Sequence, residues 1–436
     1  MELTDPADSR RTILVIGATG LIGSAIAVRL RREGHSVTGL ARTWRRSGAI
    51  QNMRFDVALA TKPEDWLHVL SGVEVAVNCA GALQDGPGDD VKAVHFDGPS
   101  ALFKACERAG VKRLIHLSAI GVDRAQPSDF SNTKYRAEEA LKASALDWVI
   151  LRPSVVLGRA AYGASAMFRG LAALPILPLM PDTGKLQVVE LDDVVETVVR
   201  LLPDSAPARV TLDLAGPEPL EFGEVVAAYR SWMGRKPAHE LPLPRPVSKI
   251  LYGLGDLAGW LGWRPPLRTT AAREIVRGAT GDPTRWIKVT GITPTSLSDA
   301  LAAYPISVQE RWFSGLYFLK PIALLVLAAF WIATGIISLT VGWGLGVDLM
   351  RRTALPALAE ISVVAGAFAD LVVGALIAFR RTSHAGLLLG VAISLFYVAA
   401  GTLLLPELWR EPLGPLLKIW PILVLHLITI VILEDR

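Results

Sequence analysis

The stretch Thr12-Ile13-Leu14-Val15-Ile16-Gly17-Ala18-Thr19-Gly20-Leu21-Ile22-Gly23 decides the N-terminal fold. Its first five residues form an apolar run rich in β-branched side chains, which reads as a buried strand. A glycine-rich turn follows, and the next residues read as a helix to about Arg32. Strand, tight turn and helix in that order suit the pyrophosphate of a dinucleotide. Gly17 permits the sharp turn. Gly20 lets the backbone approach a phosphate with no Cβ in the way, and Gly23 lets the helix pack closely. The helix N-terminus offers free N–H groups and the positive end of its dipole to the anion. Thr19, Leu21 and Ile22 complete this candidate binding turn.

Outward from the turn, further strands are expected at 37–40, 53–55, 74–78, Arg113–Leu117 and 148–151. Helices are expected over 91–109 and 131–144. Strands alternating with helices predict an α/β fold, a doubly wound parallel sheet covered on both faces. Past residue 159 the pattern loosens. Helices are expected at 163–174, 192–202 and 221–233, with a short strand at 187–189. The end of the second strand reads Gly39-Leu40-Ala41-Arg42-Thr43-Trp44-Arg45-Arg46. NAD-selective sites carry an acid there for the ribose 2′-hydroxyl. This chain offers Arg42, whose guanidinium suits a 2′-phosphate, so NADP(H) is expected over NAD(H).

Across 436 residues, 51% are apolar, 20% are charged and mean hydropathy is +0.38, which excludes a disordered or fibrous chain. The apolar excess is concentrated at one end. Between Tyr317 and Leu433 there are only twelve Asp, Glu, Lys and Arg, and residues 321–347 hold none. Apolar stretches at 321–341, 355–379, 387–405 and 413–433 each approach the ~20 residues that cross a bilayer, so four transmembrane helices are expected. Glu360, Asp370 and His426 fall inside these stretches, where ionisable groups are costly and usually face a bundle interior. Arg380, Arg381 and His384 mark one connection as cytoplasmic while Arg351 and Arg352 argue the reverse; the dinucleotide site then sets the N-terminal domain in the cytoplasm. Residues 250–261 carry apolar side chains at helical spacing, which fits either a helix lying on the bilayer or an ordinary core helix.

The net charge of +4 shows no nucleic-acid footprint. Cys79 and Cys106 have no metal-ligand spacing, and no metal site is expected. The polar residues 1–11 lack the apolar core of a secretory signal.

With these residues in view, the chain resembles an atypical or extended short-chain dehydrogenase/reductase. Its supporting motifs are the glycine turn, Asp56-Val57, Asn78-Cys79-Ala80-Gly81, Leu117-Ser118-Ala119, Arg152-Pro153-Ser154 and Asp192-Asp193-Val194. The closest flavour is the group containing the NADPH-binding accessory subunit of respiratory complex I. The tail resembles the DoxX-like four-helix membrane domain. The resemblance implies a Rossmann-type domain over 1–158, further strands and a small substrate lobe over 159–314, and an all-α membrane domain over 315–436. It also implies that Asp56 meets the adenine with Val57 beside it in the cofactor site, Cys79, Ala80 and Gly81 flank the adenosine ribose, and Pro153 to Val155 line the nicotinamide pocket.

The family's catalytic core is a Ser or Thr with Tyr-x-x-x-Lys, in which the tyrosine exchanges a proton with the substrate oxygen. Ser118 fits the serine and Lys134 the lysine, but the tyrosine position is Phe130. Tyr135 lies about 100° further round the helix. Three readings stay open. The protein reduces its substrate with another acid, such as Ser118, Lys134 or water. Or it passes hydride to a quinone-like acceptor that needs no protein acid. Or it binds the cofactor without turnover, as an accessory or sensor subunit of a membrane complex, with Lys134 only holding the nicotinamide ribose. The expected partners are a lipid bilayer and a lipophilic, quinone- or isoprenoid-like substrate, in a multi-pass protein of the inner cell membrane.

Overall fold

A computed structural model describes residues 10–42, 51–86 and 88–434. Its contacts divide into two compact units: Met1–Asp256 with Pro265–Ser314, and Leu257–Arg264 with Gly315–Arg436.

The first unit begins β1 (Thr12–Ile16), α1 (Leu21–Arg32), β2 (Ser36–Ala41), β3 (Gln51–Arg54), α2 (Glu64–Leu70), β4 (Val75–Asn78), α3 (Gly98–Ala109), β5 (Arg113–Leu117), α4 (Asp129–Lys142) and β6 (Asp147–Pro153). It continues with β7 (Val156–Leu157), α5 (Gly163–Ala173), β8 (Ile176–Leu179), β9 (Val189–Glu190), α6 (Leu191–Arg200), β10 (Val210–Leu214), α7 (Phe222–Trp232), β11 (His239–Pro242) and α8 (Arg245–Trp260, whose last turn belongs to the second unit). Three short helices follow, α9 (Thr269–Arg277), α10 (Thr284–Thr290) and α11 (Leu297–Ala302).

Seven parallel strands form one sheet in the order β3-β2-β1-β4-β5-β6-β10. The chain enters at β1, winds out to β3, then restarts at β4 on the other side of β1. That reversal opens a crevice beyond the carboxyl ends of β1 and β4, where such sheets bind ligands. Alternate residues of the central strands feed two cores. Ile13, Val15, Val77 and Ile115 pack with Ile26 and Leu30 of α1. Leu14, Ile16 and Leu114 pack with Leu102 and Phe103 of α3. Burial on both faces is why these strands read as continuous apolar runs.

Several details depart from the expected pattern. α2 and β10 were not foreseen. β10 alternates buried Val210, Leu212 and Leu214 with half-buried Thr211 and Asp213. The helix expected at 91–109 contains a π-helical turn, Ala93–Asp97, before α3. The short strand expected at 187–189 falls at β9, which pairs with β7.

In the second unit the helices are α12 (Val308–Leu339, which begins in the first unit), α13 (Trp343–Arg351), α14 (Ala359–Ala378), α15 (Ser383–Leu404) and α16 (Ile419–Leu433). Among the described residues, three helices are long and apolar enough to cross a membrane: Val308–Leu339, Pro356–Ala378 and Ser383–Leu404. The fourth expected span falls on α16, a shorter apolar helix. Residues 415–418 form turns, Pro412 and Pro415 stand before the helix, and α16 has only 15 residues. That is about 22 Å of helix, short of ~30 Å of hydrocarbon.

The ionisable groups sort differently from one another. Glu360 lies in the first turn of α14, largely exposed, with Arg351 at 3.8 Å, so it is an end-of-helix group. Asp370 is buried and accepts a hydrogen bond from Tyr397 Oη at 2.8 Å. His426 is fully buried: its Nδ1 donates to Ile422 O at 2.8 Å and its Nε2 accepts from Trp331 Nε1 at 2.9 Å. A Cβ on Gly390 would lie 2.5 Å from that Nε2, so this helix contact requires glycine.

Leu257–Arg264 packs within the second unit. Trp263 Nε1 donates to Ala378 O at 2.8 Å, and Arg380 N donates to Leu261 O at 3.1 Å. Along α8, Ile250, Leu254, Leu257 and Trp260 are all exposed, Trp260 by 70%. Leu251, Ala258 and Leu261 of the same stretch are half-buried.

Candidate dinucleotide site

The site begins where β1 ends. Gly17 has a φ of +78°, which side chains other than glycine's rarely adopt, and a Cβ there would lie 2.9 Å from the carbonyl carbon of Cys79. The N–H groups of Gly17 and Ala18 both donate to Leu40 O, at 2.9 and 3.1 Å, which ties the turn to β2. Thr19 lies in the turn, and Gly20 is the N-cap of α1 with no side-chain hydrogen bond to it. The N–H groups of Leu21, Ile22 and Gly23 thus open α1 without a capping side chain. At Gly23 a Cβ would fall 2.3 Å from Gly17 O, so helix and turn touch through backbone alone.

Cys79 N donates to Ile16 O at 2.9 Å and so extends the sheet contact beyond β4. Burial pushes the Cys79 thiol up to about 12, which keeps it protonated. The next N–H, of Ala80, donates to Asn78 Oδ1 at 3.1 Å. Asp56 sits after β3, where its Oδ1 accepts from Ala58 N at 3.0 Å, and Val57 is buried. Arg42 is at the end of β2. Its Nη1 donates to Asp89 Oδ1 at 2.6 Å and to Gly88 O at 2.7 Å. Thr43, Trp44, Arg45 and Arg46 lie outside the described residues.

At the carboxyl ends of β5 and β6 the structure brings three expected residues together. Lys134, on α4, is buried and donates from Nζ to Leu117 O at 3.0 Å, one residue before Ser118. Burial lowers its pKa to about 8, with Glu138 and Cys79 acting the other way. Ser118 Oγ is buried and has no hydrogen-bond partner. Pro153 ends β6, and its carbonyl accepts from Ile120 N at 3.1 Å. Phe130 lies one helical turn before Lys134, with Lys134 Nζ 5.7 Å from its ring centre. Tyr135 is half-buried on the turn beyond.

Sequence reasoning missed His95. Its ring meets Phe130 edge-on at 5.4 Å, and its Nε2 accepts from Ala82 N at 3.0 Å. Its Nδ1 lies 3.1 Å from Thr133 Oγ1, whose hydroxyl donates to Asp129 O. Nδ1 is therefore the protonated nitrogen. Burial, with Lys134 nearby, holds His95 well below the usual imidazole range, so it is neutral and fixes the loop after β4 to α4. A lone histidine in an apolar helix carries no motif, and only the fold shows its neighbours.

These residues fit a dinucleotide. The turn has no room for a Cβ at Gly17 or Gly23, α1 opens without a cap, and Ser118 Oγ is a buried hydroxyl in want of a partner. Among the described residues no cluster of His, Cys, Asp and Glu has the makings of a metal site.

Comparison with known proteins agrees with this geometry. Residues 17–172 match an NAD(P)H-binding family, and residues 328–427 match the DoxX-like family. An uncharacterized protein of Mycobacterium tuberculosis is 28% identical over 249 residues, 56% of this chain. The match covers only 25% of that relative's own length, so the chain corresponds to about a quarter of it. The mitochondrial NADH-ubiquinone oxidoreductase 40 kDa subunit of Neurospora crassa is 23% identical over 309 residues, 69% of this chain and 80% of that subunit. Among solved structures, WbmG of Bordetella bronchiseptica in complex with NAD has a TM-score of 0.54 at 18% identity. It covers 72% of this chain and 97% of its own, a likeness of fold.

Proposed function

We infer, from a chain that joins an NAD(P)H-binding Rossmann domain to a DoxX-like domain with helices of membrane-crossing length, that this protein is a membrane-anchored oxidoreductase for a lipophilic, quinone- or isoprenoid-like acceptor. The observation that carries the reading is the pairing of Phe130 with an otherwise equipped site. Lys134 and Ser118 stand ready, yet Phe130 carries no hydroxyl to protonate a substrate oxygen. A quinone takes its protons from water and needs none from a tyrosine. When bound, the dinucleotide supplies the hydride. The chain's own part is to hold it: Gly17, Thr19, Gly20, Leu21, Ile22 and Gly23 at the pyrophosphate, and Asp56 and Val57 at the adenine. Cys79, Ala80 and Gly81 stand at one ribose, and Lys134 and Pro153 at the nicotinamide end. The exposed stripe on α8 fits a helix lying in the lipid interface. A cytoplasmic face for the nucleotide-binding unit follows from where these dinucleotides are found.

The test is NADPH oxidation by the full chain in detergent, with and without a short-chain ubiquinone analogue. Oxidation that depends on the quinone is expected, and Phe130→Tyr should leave that rate unchanged. Tight NADPH binding with no turnover on any acceptor overturns the enzyme reading. It would favour a cofactor-loaded accessory subunit, the role that the name of the Neurospora relative suggests and that the missing phenol also allows.

We further propose NADP(H) over NAD(H). Arg42 already holds one anion, Asp89, at the end of β2, and a 2′-phosphate would take that carboxylate's place. Arg42→Asp is expected to weaken NADPH binding roughly tenfold, the worth of one charge-assisted contact, while sparing NADH. Equal loss for both cofactors in a binding titration would sink the assignment.

A further inference from the structure

A cavity in the first unit has no residue of the glycine turn in its lining. Its volume is about 160 Å³, and Tyr229, Trp232 and Tyr304 give it aromatic walls. Arg169 of α5 also lines it and is only 3% exposed. The guanidinium lies over the rings of Tyr229 at 5.4 Å and Trp232 at 5.9 Å. Its Nη2 donates to Gly158 O and Arg159 O at 3.0 and 3.1 Å, and its Nη1 reaches Ser165 O at 3.4 Å. Its Nε–H is buried and has no acceptor. Among the described residues no carboxylate pairs with this cation within 4.0 Å, and a buried charge left unpaired is costly.

We propose that this cavity binds a small aromatic carboxylate, its ring against Tyr229, Trp232 and Tyr304 and its anion on Arg169. The aromatic walls select a flat apolar body, and the arginine supplies both the missing counter-charge and the unused donor. A carboxylate suits the space better than a phosphate, because one spare N–H and one buried cation answer a single negative charge.

Glu190 couples the site to pH. It is buried on the cavity wall and accepts from Asp192 N. Burial, with Asp192 and Asp193 adding to it, pushes its carboxyl up to about 7. The charged and titratable groups around it are Arg169 and Tyr229 across the cavity, Asp192 and Asp193 on α6, and Arg159, Tyr304 and Glu310 at the rim. Below about pH 7 Glu190 is neutral, and two arginines face one rim carboxylate, Glu310. Above it, Glu190 is charged and repels an entering anion. Binding should therefore strengthen as pH falls from 8 to 6.

The test uses the full chain in detergent without dinucleotide and follows 4-fluorobenzoate by ¹⁹F NMR, so it stands apart from any redox assay. Saturable binding is expected, with 4-fluorobenzyl alcohol and inorganic phosphate each at least about tenfold weaker, the worth of one charge-assisted contact. Arg169→Gln should lose the carboxylate. Because Arg169 also braces three carbonyls, Ala300→Phe serves as the second variant: it fills the cavity without touching the cation, and should also abolish binding. Glu190→Gln should keep binding and flatten its pH dependence. Absence of 4-fluorobenzoate binding in the parent, equal affinity for the alcohol, or full binding in Ala300→Phe would each overturn the proposal.

Discussion

Arg152→Ala is expected to cost the first unit about 3–5 kcal/mol of stability, the penalty for breaking a buried ion pair by removing one partner. Arg152 grips Glu138 through two parallel bonds, Nε to Oε1 at 2.9 Å and Nη2 to Oε2 at 2.6 Å. Its Nη1 donates to Asp123 Oδ2 at 2.5 Å and lies 3.8 Å from Asp213. Glu138 is fully buried and Arg152 nearly so. Alanine leaves Glu138 the lysines Lys142, at 3.6 Å, and Lys134, and leaves Asp213, whose carboxyl burial already raises, with Arg124 but without Arg152.

The pair also has a positional role. Glu138 is one helical turn beyond Lys134 on α4, and Arg152 is the residue before Pro153, so the bond ties this part of α4 to the end of β6. Glu138→Gln should cost less than Arg152→Ala, because the amide oxygen keeps one acceptor and no bare charge is buried. Chemical denaturation followed by tryptophan fluorescence measures both. A loss below about 1 kcal/mol for Arg152→Ala, the range of an exposed pair, would show that water screens this site after all.

How far the sequence was legible depends on where each residue's partners lie. The turn from β1 to α1 needs only local information: apolar run, glycines, helix start. β5 was read at its observed bounds, since Arg113–Leu117 is buried at every position. α2 has only seven residues, too few for helical periodicity to stand out. β10 escaped because Asp213 sits in mid-strand, facing an arginine 61 positions earlier. His95 is a tertiary fact of the same kind. In the tail, hydropathy counts residues and not helical turns, so residues 413–433 read as a span although Pro415 delays the helix to Ile419. Glu360 and Asp370 looked alike in sequence. The first lies at a helix end beside Arg351, while the second is buried against Tyr397 on the neighbouring helix.

Gly23→Ala is expected to weaken NADPH binding about a hundredfold while the chain still folds. The added Cβ would fall 2.3 Å from Gly17 O and 2.9 Å from Gly17 C, both backbone atoms with no rotamer to change. Helix α1 must therefore back away from the turn. Overpacking of this kind costs roughly 1–3 kcal/mol of stability, which a domain of this size survives. Binding suffers more, because the N–H groups at the start of α1 would lose their aim at the pyrophosphate. Two charge-assisted hydrogen bonds at about 1.5 kcal/mol each amount to about two powers of ten in affinity. Gly34 supplies the control. It lies beyond the other end of α1 with a φ of +92°, and nothing stands within 4 Å of an added Cβ. Gly34→Ala pays only the left-handed backbone cost of roughly 1–2 kcal/mol. It should lower stability about as much as Gly23→Ala yet leave NADPH affinity at the parent value. Fluorescence titration with NADPH, beside a melting curve for each variant, separates the two effects. Parent-like NADPH affinity in Gly23→Ala would mean that the glycine turn packs the helix but does not hold the phosphates.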